Sequence, residues 1–506
     1  MDVCAVCEVQ DSTKLLRCSA CKRTYYCCAE HQRIDWPRHR SICCVVQPDI
    51  PAKPQRAETL QEAGTDQADR NVLILAPGSR GDVEPLIAIA KQLKSLGHNV
   101  TVATHVNYEA DVCSRGVKFH PVHGDPHQNR GGAPIEGDEA AHIWTSQLAS
   151  YRAAAEAARA DIIAFNWFGS AGMHLAEALR VPCVALWMVP FSRTNRFPSF
   201  FFTGPKMERA RGGLEAKHGA KWRAMSHVLV EEMMWAPFGK RINEWRRELG
   251  LEPIDCQGGC GGHYLEMRRR DVPIMYGWSP EVLPKPDDWP KSTMVCGAFV
   301  DEDVGGGGPG WEPPCELAAF LESGPAPIYM GFGSARLPSS VENPARRLVQ
   351  AARALGQRVL LAGGEGQALC RPGGMEPDDH VMEVGLVPHG WLLPRVSVAV
   401  HHGGAGTTAS SLLAGAPQVI CPIEYDQFFW AETMCSLGVA PCMLPAEQLA
   451  LSRAKEALEW AIQPEVRDRA WKIRDKMKLE SGALTAATFI SMYQEKWVDR
   501  TISCRN

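Results

Sequence analysis

Short uninterrupted runs of apolar residues recur along most of the chain, and amphipathic stretches separate them. The first run, VLILA, lies in a predicted strand at 71–76, and a stretch with helical spacing at 83–96 leads to a second predicted strand at 99–104, NVTVAT. Uninterrupted apolar runs of this length are typical of strands buried on both faces. A strand, a helix and a strand in this order predict a parallel sheet with helices on both faces. Further strands are predicted at 117–122, 161–165 and 183–188.

The same alternation resumes in the second half of the chain. A run rich in glycine at 305–310 separates the halves and predicts a linker. A chain of 506 residues is also too long for one hydrophobic core, which seldom grows beyond about 250–300 residues. We therefore expect two α/β domains. Strands of the second half are predicted at 328–331, 358–362, 396–400 and 418–421, and amphipathic helices at 467–478 and 483–497.

A glycine-rich turn follows the predicted strand at 396–400. Gly403, Gly404 and Gly406 have no side chain, so the backbone can turn sharply there and approach a ligand closely. The next residues begin a predicted helix that ends near Gly415. The first N–H groups of a helix are unpaired and its dipole is positive there, so the turn predicts an anion site. The residues assigned to this site are Gly404, Ala405, Gly406, Thr407 and Thr408.

Polar residues stand at two more predicted strand ends. Asp426 and Gln427 follow the strand at 418–421, and Ser334 follows the strand at 328–331. Ligands of open α/β sheets bind at the carboxyl ends of the strands. The Ser334 hydroxyl can therefore bond a phosphate, while Asp426 and Gln427 can hold hydroxyl groups. The combination predicts a nucleotide-sugar site.

The first 44 residues carry eight of the 19 cysteines of the chain. In a reducing compartment, closely spaced thiolates and imidazoles favour tetrahedral zinc sites over a disulfide knot. So short a segment buries little core, and zinc would contribute folding free energy on the order of 10–16 kcal/mol per site. The candidate ligands of two structural zinc ions are Cys4, Cys7, Cys18, Cys21, Cys27, His31, His39 and Cys43, with Cys28 and Cys44 as neighbours that could substitute.

This cysteine-rich segment closely resembles a MYND-type zinc finger, including the sequence YC at 26–27 and DWP at 35–37. Such fingers bind short peptides, so the resemblance implies that residues 1–44 recruit a protein partner. His31 stands where the family usually has cysteine, but imidazole also binds zinc. The family's interleaved pairing implies one ion on Cys4, Cys7, Cys27 and His31, and the other on Cys18, Cys21, His39 and Cys43.

Residues 45–69 show no periodic pattern of apolar residues and are predicted to be a linker.

Charge and hydropathy exclude some classes of protein. The net charge of −4 gives no support for nucleic-acid binding. The N-terminus has no basic head followed by an apolar core, and no apolar run approaches the ~18 residues of a spanning helix. We expect a cytoplasmic protein with at most peripheral membrane contact.

Six segments resemble the sterol 3β-glucosyltransferases, in the order found in that family. The resemblance runs from about residue 70 to the C-terminus and implies the GT-B fold, with two doubly wound domains facing across a cleft. It implies an acceptor domain at 70–300, a donor domain at 314–480 and a C-terminal helix at 481–506 that crosses back. The segments are GSRGDVEP at 78–85, VHGDP at 122–126, MVPFSRTNRFP at 188–198, YGWSPEVLPKPDDW at 276–289, IYMGFGS at 328–334 and VPHGWLLPRVSVAVHHGGAGTT at 387–408.

The same resemblance implies roles for particular residues. Asp82 would be the general base, His402 would lie against the diphosphate, and backbone groups near Val387 would hold the uracil. Asp426 and Gln427 would hold the sugar hydroxyls. The implied reaction transfers glucose from UDP-glucose to a sterol hydroxyl with inversion and without a catalytic metal. Ser410 and Val384 depart from the plant pattern, which has a glutamate and a tryptophan at these positions.

Several alternatives remain at this stage. Asp82 also suits the role of a helix cap. Trp235, Phe238, Ile242, Trp245 and Leu249 recur at helical spacing, which indicates either a core-facing stripe or the lining of a hydrophobic acceptor pocket. The acceptor could be a natural product other than a sterol. The chain could also be an adaptor in which the finger provides the function and the attached transferase scaffold is inactive.

Overall fold

The computed structural model describes residues 16–17, 25–26, 70–125, 137–254, 262–301, 311–333, 344–363 and 380–503. The chain divides into two units, Met1–Ala68 and Asp69–Asn506. In the first unit, strand β1 (Leu16–Arg17) pairs antiparallel with β2 (Tyr25–Tyr26). The eight predicted zinc ligands and the predicted linker at 45–69 lie outside the described residues.

The second unit contains two parallel sheets. In the described part of the chain, the first sheet has seven strands in the spatial order β5-β4-β3-β6-β7-β8-β9. Chain order runs outwards from β3 in one direction and from β6 in the other, so the crevice for a ligand lies beyond these two strands. The strands are β3 (Asn71–Leu75), β4 (Asn99–Thr104), β5 (Lys118–Pro121), β6 (Ile162–Phe165), β7 (Cys183–Trp187), β8 (Ile274–Tyr276) and β9 (Thr293–Val295).

The second sheet repeats this plan with five strands among the described residues, in the order β12-β11-β10-β13-β14. Its order reverses between β10 and β13, so the same rule places a ligand beyond their carboxyl ends. The predicted pair of parallel-sheet domains is confirmed. The strands are β10 (Ile328–Gly331), β11 (Val359–Ala362), β12 (Val381–Val384), β13 (Val398–His401) and β14 (Gln418–Ile420).

Helices connect and cover both sheets. Those of the first half are α1 (Arg80–Ser95), α2 (Glu109–Ser114), α3 (Gly137–Ala158), α4 (Gly172–Leu179), α5 (Pro205–His218), α6 (Ala220–Trp235), α7 (Gly239–Glu248) and α8 (Gly262–Arg269). Those of the second half are α9 (Cys315–Glu322), α10 (Pro344–Ala354), α11 (His389–Leu392), α12 (Ala405–Ala414), α13 (Gln427–Ser436), α14 (Leu451–Ala461), α15 (Pro464–Met477) and α16 (Gly482–Ser503).

The last helix, α16, packs against α1 of the first sheet. Its residues Ala483, Ala486, Ala487 and Ile490 are buried in the core cluster that α1 forms with the strands. Ser491 Oγ also lies 2.7 Å from Nε2 of His98. Within the described residues, no helix has both the length and the apolar character needed to cross a membrane.

The structure corrects two local predictions. Helix α1 begins at Arg80 rather than at 83, because Ser79 caps it and Asp82, its third residue, completes a capping box with Ser79. The aromatic stripe does not lie on one helix, because α6 ends at Trp235 and α7 begins at Gly239. The intervening Pro237 cannot donate a helical hydrogen bond and favours a break there.

Candidate active site

A cleft of about 2120 Å³ lies between the carboxyl ends of the two sheets. Its first wall includes the turn after β3 and the segment after β6, and its second wall includes the turns after β10, β13 and β14. Except for the end of β6, these are the strand ends at which the sequence predicted ligand-binding residues. The cleft therefore brings together residues from both halves of the chain.

Asp82 stands in the first wall, at the start of α1. Its Oδ2 accepts hydrogen bonds of 2.8 Å from both the backbone N–H and the hydroxyl of Ser79. This is the capping role that the sequence left as an alternative to catalysis. Because both bonds end on Oδ2, they fix the carboxylate beside the cleft without involving Oδ1.

Two neighbours fix the turn that carries Asp82. Gly78 has a φ of +123°, and a Cβ there would lie 2.7 Å from Oδ2 of Asp82. Only glycine lets the carboxylate fold back over the turn. Asn166, which follows β6, donates from Nδ2 to the carbonyl of Pro77 at 2.6 Å. Asn166 was not among the predicted site residues, although its position at a strand end is a usable signal.

The glycine turn of the second wall opens α12 as predicted. Gly404 caps the helix, and the first intrahelical bond runs from the N–H of Thr408 to the Gly404 carbonyl at 3.0 Å. The N–H groups of 405–407 precede that bond and therefore belong to the positive end of the helix. The helix ends at Gly415, which has a φ of +69°.

The imidazole of His402 is held between two glycines. A Cβ on Gly404 would lie 2.5 Å from Nε2 of His402, and a Cβ on Gly333 would lie 3.0 Å from its Cε1. The glycines of the two turns therefore give the ring its place in the cleft. This close approach explains why both turns lack side chains at these positions.

The buried side chains of His401 and Gln418 stabilise the glycine turn. The N–H of Gly403 donates to Nδ1 of His401 at 3.0 Å, and Nε2 of His401 lies 2.9 Å from Oε1 of Gln418. Since Nδ1 accepts, Nε2 carries the proton and donates to Gln418. Burial and the neighbouring His402 lower the pKa of His401 to about 3, so this ring is neutral. Neither residue was among the predicted site residues.

Asp426 and Gln427 begin α13 beside the cleft. The side-chain carbonyl of Gln427 accepts bonds from the N–H groups of Ile423 and Glu424 at 2.8 and 3.1 Å. Oδ2 of Asp426 accepts a 3.0 Å bond from the indole N–H of Trp430. Burial raises the pKa of Asp426 to about 7, and the negative charge of Asp82 adds to this rise. Two carboxyl groups from opposite walls therefore interact electrostatically.

The other predicted residues fall into three groups. Val387, His402, Gly404, Ala405, Gly406, Thr407, Asp426 and Gln427 line the cleft together with Asp82. The side chain of Thr408 is buried, with 3% of the residue exposed. Ser334 lies outside the described residues.

Apolar and aromatic side chains from residues 144–264 line one part of the cleft, and we call this part the aromatic lobe. Trp235 and Phe238 of the predicted stripe line it, whereas Trp245 lies in the core and is 6% exposed. Part of the predicted aromatic stripe therefore lines the cleft, and part of it lies in the hydrophobic core. The lobe is lined by Trp144, Trp167, Phe168, Trp187, Phe191, Phe200, Phe201, Met234, Trp235, Phe238, Ile242 and Tyr264.

Solved structures share this architecture. The glycosyltransferase of kitacinnamycin superposes with a TM-score of 0.60 at 19% identity and covers 84% of this chain and 99% of its own. The calicheamicin glycosyltransferase CalG4 superposes with a TM-score of 0.57 at 18% identity and covers 86% and 99%. The fold is therefore that of the GT-B glycosyltransferases, as predicted.

Comparisons with family models and with related proteins narrow the class of glycosyltransferase. Residues 72–197 match the N-terminal domain of glycosyltransferase family 28, residues 367–483 the erythromycin biosynthesis protein CIII-like C-terminal domain, and residues 4–43 the MYND finger. Two sterol 3-beta-glucosyltransferases of Arabidopsis thaliana are 33% and 31% identical over 82% and 86% of this chain. One of Aspergillus clavatus is 32% identical over 82% of this chain.

The chain belongs to the sterol 3-beta-glucosyltransferase family. It spans 64% and 71% of the length of the two plant relatives and 29% of the Aspergillus protein. The predicted family and the predicted MYND finger are both confirmed.

Proposed function

We propose that this protein transfers glucose from UDP-glucose to the 3-hydroxyl of a sterol or a similar lipophilic alcohol, with inversion at the anomeric carbon. The observation that carries the proposal is that one cleft is lined by Asp82 on its first wall and by the start of α12, Asp426 and Gln427 on its second wall. A base on one wall then stands opposite a sugar-holding group on the other. The names of the plant and fungal relatives support the choice of acceptor and sugar.

The donor would bind the second wall. Its diphosphate would accept hydrogen bonds from the N–H groups at the start of α12, with His402 and the Ser334 hydroxyl beside it. The N–H groups at the start of α12 already form the positive end of that helix, so they would stabilise the negative charge that grows on the leaving group without reorganising. Backbone groups near Val387 would hold the uracil, and Asp426 and Gln427 would bind the sugar hydroxyls. No catalytic metal takes part in this proposal.

The acceptor would bind the first wall. Its ring system would fill the aromatic lobe, and its hydroxyl would lie against Asp82. The carboxylate would take the hydroxyl proton as the oxygen attacks the anomeric carbon from the side opposite UDP, which gives a β-glucoside. We assign 70–300 to the acceptor domain and 314–480 to the donor domain on this basis.

The variant Asp82→Asn tests the proposed base. Its amide oxygen still accepts the bonds from Ser79, so α1 keeps its cap while the base is lost. We expect a fall of about 10²–10⁴-fold in the rate of glucose transfer from radiolabelled UDP-glucose to a sterol, with unchanged affinity for UDP. The matched control is Asp111→Asn, which removes another carboxylate of the cleft. A rate near that of the wild type in Asp82→Asn would remove Asp82 as the base.

The zinc finger has a separate proposed role. We propose that residues 1–44 bind two zinc ions through the eight predicted ligands and recruit a protein partner. The match of residues 4–43 to the MYND finger supports this assignment. Peripheral contact with a membrane would come from that partner or from the lipophilic acceptor.

A further inference from the structure

An exposed aromatic residue, Tyr425, lies in the second wall of the cleft. It stands between β14 and α13, directly before Asp426 and Gln427, and all three residues line the cleft. Of Tyr425, 63% is exposed, whereas only 7% of Gln427 is. Tyr425 has no role in the reaction proposed above. Its exposed surface is therefore open to a ligand that enters the cleft.

The backbone of Tyr425 adopts a conformation that favours glycine. The N–H of Gln427 donates to the carbonyl of Glu424 at 3.3 Å, so Tyr425 and Asp426 are the two central residues of a tight turn. Tyr425 has a φ of +50°, and Asp426 has a φ of −67°. A positive φ followed by a negative φ is the order of a type II′ turn, in which glycine is the usual first central residue. A tyrosine there is strained, because its Cβ crowds the backbone when φ is positive.

Side-chain hydrogen bonds on both sides of Tyr425 hold this turn in place. Oε1 of Gln427 accepts the N–H groups of Ile423 at 2.8 Å and Glu424 at 3.1 Å. Oδ2 of Asp426 accepts the indole N–H of Trp430 at 3.0 Å. Relaxation of φ at Tyr425 would disturb these bonds. Strained residues persist where their surroundings fix them, and they cluster at ligand-binding sites.

The same bonds decide which polar atoms of the turn they leave for a ligand. The bonds to Gln427 use its amide oxygen, so they leave its amide N–H groups as donors. The bond from Trp430 uses Oδ2 of Asp426 and leaves Oδ1 as an acceptor. A donor and an acceptor on adjacent residues suit the hydroxyl groups of a sugar, because each hydroxyl can both donate and accept.

Tyr425 adds an aromatic surface beside these polar groups. A pyranose ring carries hydroxyl groups around its edge and C–H groups on its faces. The face of an aromatic ring has partial negative charge and attracts C–H groups, and their contact also removes apolar surface from water. Tyr425 and Asp426 are consecutive, so their Cα atoms are about 3.8 Å apart, and both line the cleft. The aromatic ring and the polar pair can therefore contact one sugar.

We propose that Tyr425 is a specificity residue of the donor site, and that its ring packs against the C–H face of the transferred sugar while Asp426 and Gln427 bind the sugar hydroxyls. The ring then contributes to the binding of a nucleotide-sugar but not to the binding of the free nucleotide. The contact with the sugar accounts for an exposed tyrosine at a position that favours glycine. This inference rests on the proposed function, which assigns the sugar to this turn.

Calorimetry of the full chain with UDP and with UDP-glucose, in the absence of an acceptor, tests the inference. Tyr425→Gly removes the ring and suits the positive φ. We expect it to weaken the binding of UDP-glucose about 3–10-fold and to leave the binding of UDP unchanged. Tyr425→Phe keeps the aromatic face and should bind UDP-glucose as the wild type does. In glucose transfer to a sterol, Tyr425→Gly should raise the KM for UDP-glucose but not the KM for the sterol.

Arg180→Gly is the matched control for the backbone. Arg180 is exposed, ends α4 with a φ of +57° and is not among the residues that line the cleft. Glycine relieves the same kind of strain at both positions, so neither variant should melt below the wild type, and Arg180→Gly should bind UDP-glucose normally.

Three results would overturn the inference. They are equal affinities of Tyr425→Gly and the wild type for UDP-glucose, an equal loss of affinity for UDP, or a fall of several degrees in the melting temperature of Tyr425→Gly. A wild type that binds neither UDP nor UDP-glucose would instead overturn the proposed function.

Discussion

The buried carboxyl of Asp426 predicts an unusual dependence of stability on pH. Replacing Asp426 by asparagine keeps an oxygen for the indole N–H of Trp430, at 3.0 Å in the wild type, and removes the ionisable group. It also removes the repulsion between Asp426 and Asp82 at the pH where both are charged. We therefore expect Asp426→Asn to stabilise the ligand-free protein increasingly as the pH rises above about 4.

The magnitude follows from the rise of the pKa from 3.8 to about 7. At about 1.4 kcal/mol for each pH unit, the rise corresponds to at most roughly 4 kcal/mol of unfolding free energy. Because the folded pKa lies above the unfolded one, the folded state holds its proton more tightly. The contribution of Asp426 is complete below about pH 4, falls as the pH rises, and is lost above about pH 7.

Urea unfolding of the wild type and of Asp426→Asn, followed by tryptophan fluorescence between pH 4 and pH 9, measures this difference. The advantage of the variant should grow through the interval between about pH 4 and pH 7 and then level off. Asp475→Asn, at an exposed carboxylate, is the matched control and should show no such trend. A difference between Asp426→Asn and the wild type that stays constant from pH 5 to pH 8 would refute the reasoning.

Three further outcomes are expected. Arg193→Met removes the arginine that pairs with the buried Glu231 carboxylate, so it should lower the unfolding free energy by about 3–5 kcal/mol. Adding Glu231→Leu removes the buried charge as well, and the double variant should recover most of this loss in the same urea titration. Gly403 has a φ of +93°, and a Cβ there would lie 2.8 Å from Ile420 and 3.0 Å from the carbonyl oxygen of Gln427. Gly403→Ala should therefore lower the unfolding free energy by about 2–5 kcal/mol. It should also abolish the binding of UDP, measured by calorimetry. Chelation of zinc should unfold residues 1–44, and NMR of that segment should then show a loss of amide chemical-shift dispersion. Glucose transfer by the full chain should persist. An unchanged spectrum would contradict the zinc assignment.

The pattern of apolar runs located the central strands because these are buried on both faces. It missed β8 and β9, which have three residues each, and β12, which includes Glu383 and is mostly only partly buried. The glycine turn and the start of α12 were predictable because their cause is local: glycine at the close approach and unpaired N–H groups at the helix start.

Contacts between distant parts of the chain were not predictable from local pattern. His401 meets Gln418 only because β13 and β14 pair in parallel register, and no periodicity reveals that partnership. Side-chain contacts also join Arg246 of α7 to His174 of α4 and His174 to His263 of α8, although each looks like an isolated polar residue in the sequence of its own helix. The pKa of Asp426 likewise depends on Asp82, which lies in the other domain.

Because α16 packs against α1, the segment that forms the second sheet lies, in chain order, between two parts of the first domain. Ala486, Ala487 and Ile490 complete the core around α1, so a fragment that stops at residue 300 lacks part of its own interior. A nick between the halves would leave two pieces that stay together, because the C-terminal piece supplies that missing helix. We therefore expect the first half, cut at the predicted linker, to be unstable alone and to be completed by the second half when the two are expressed as separate chains.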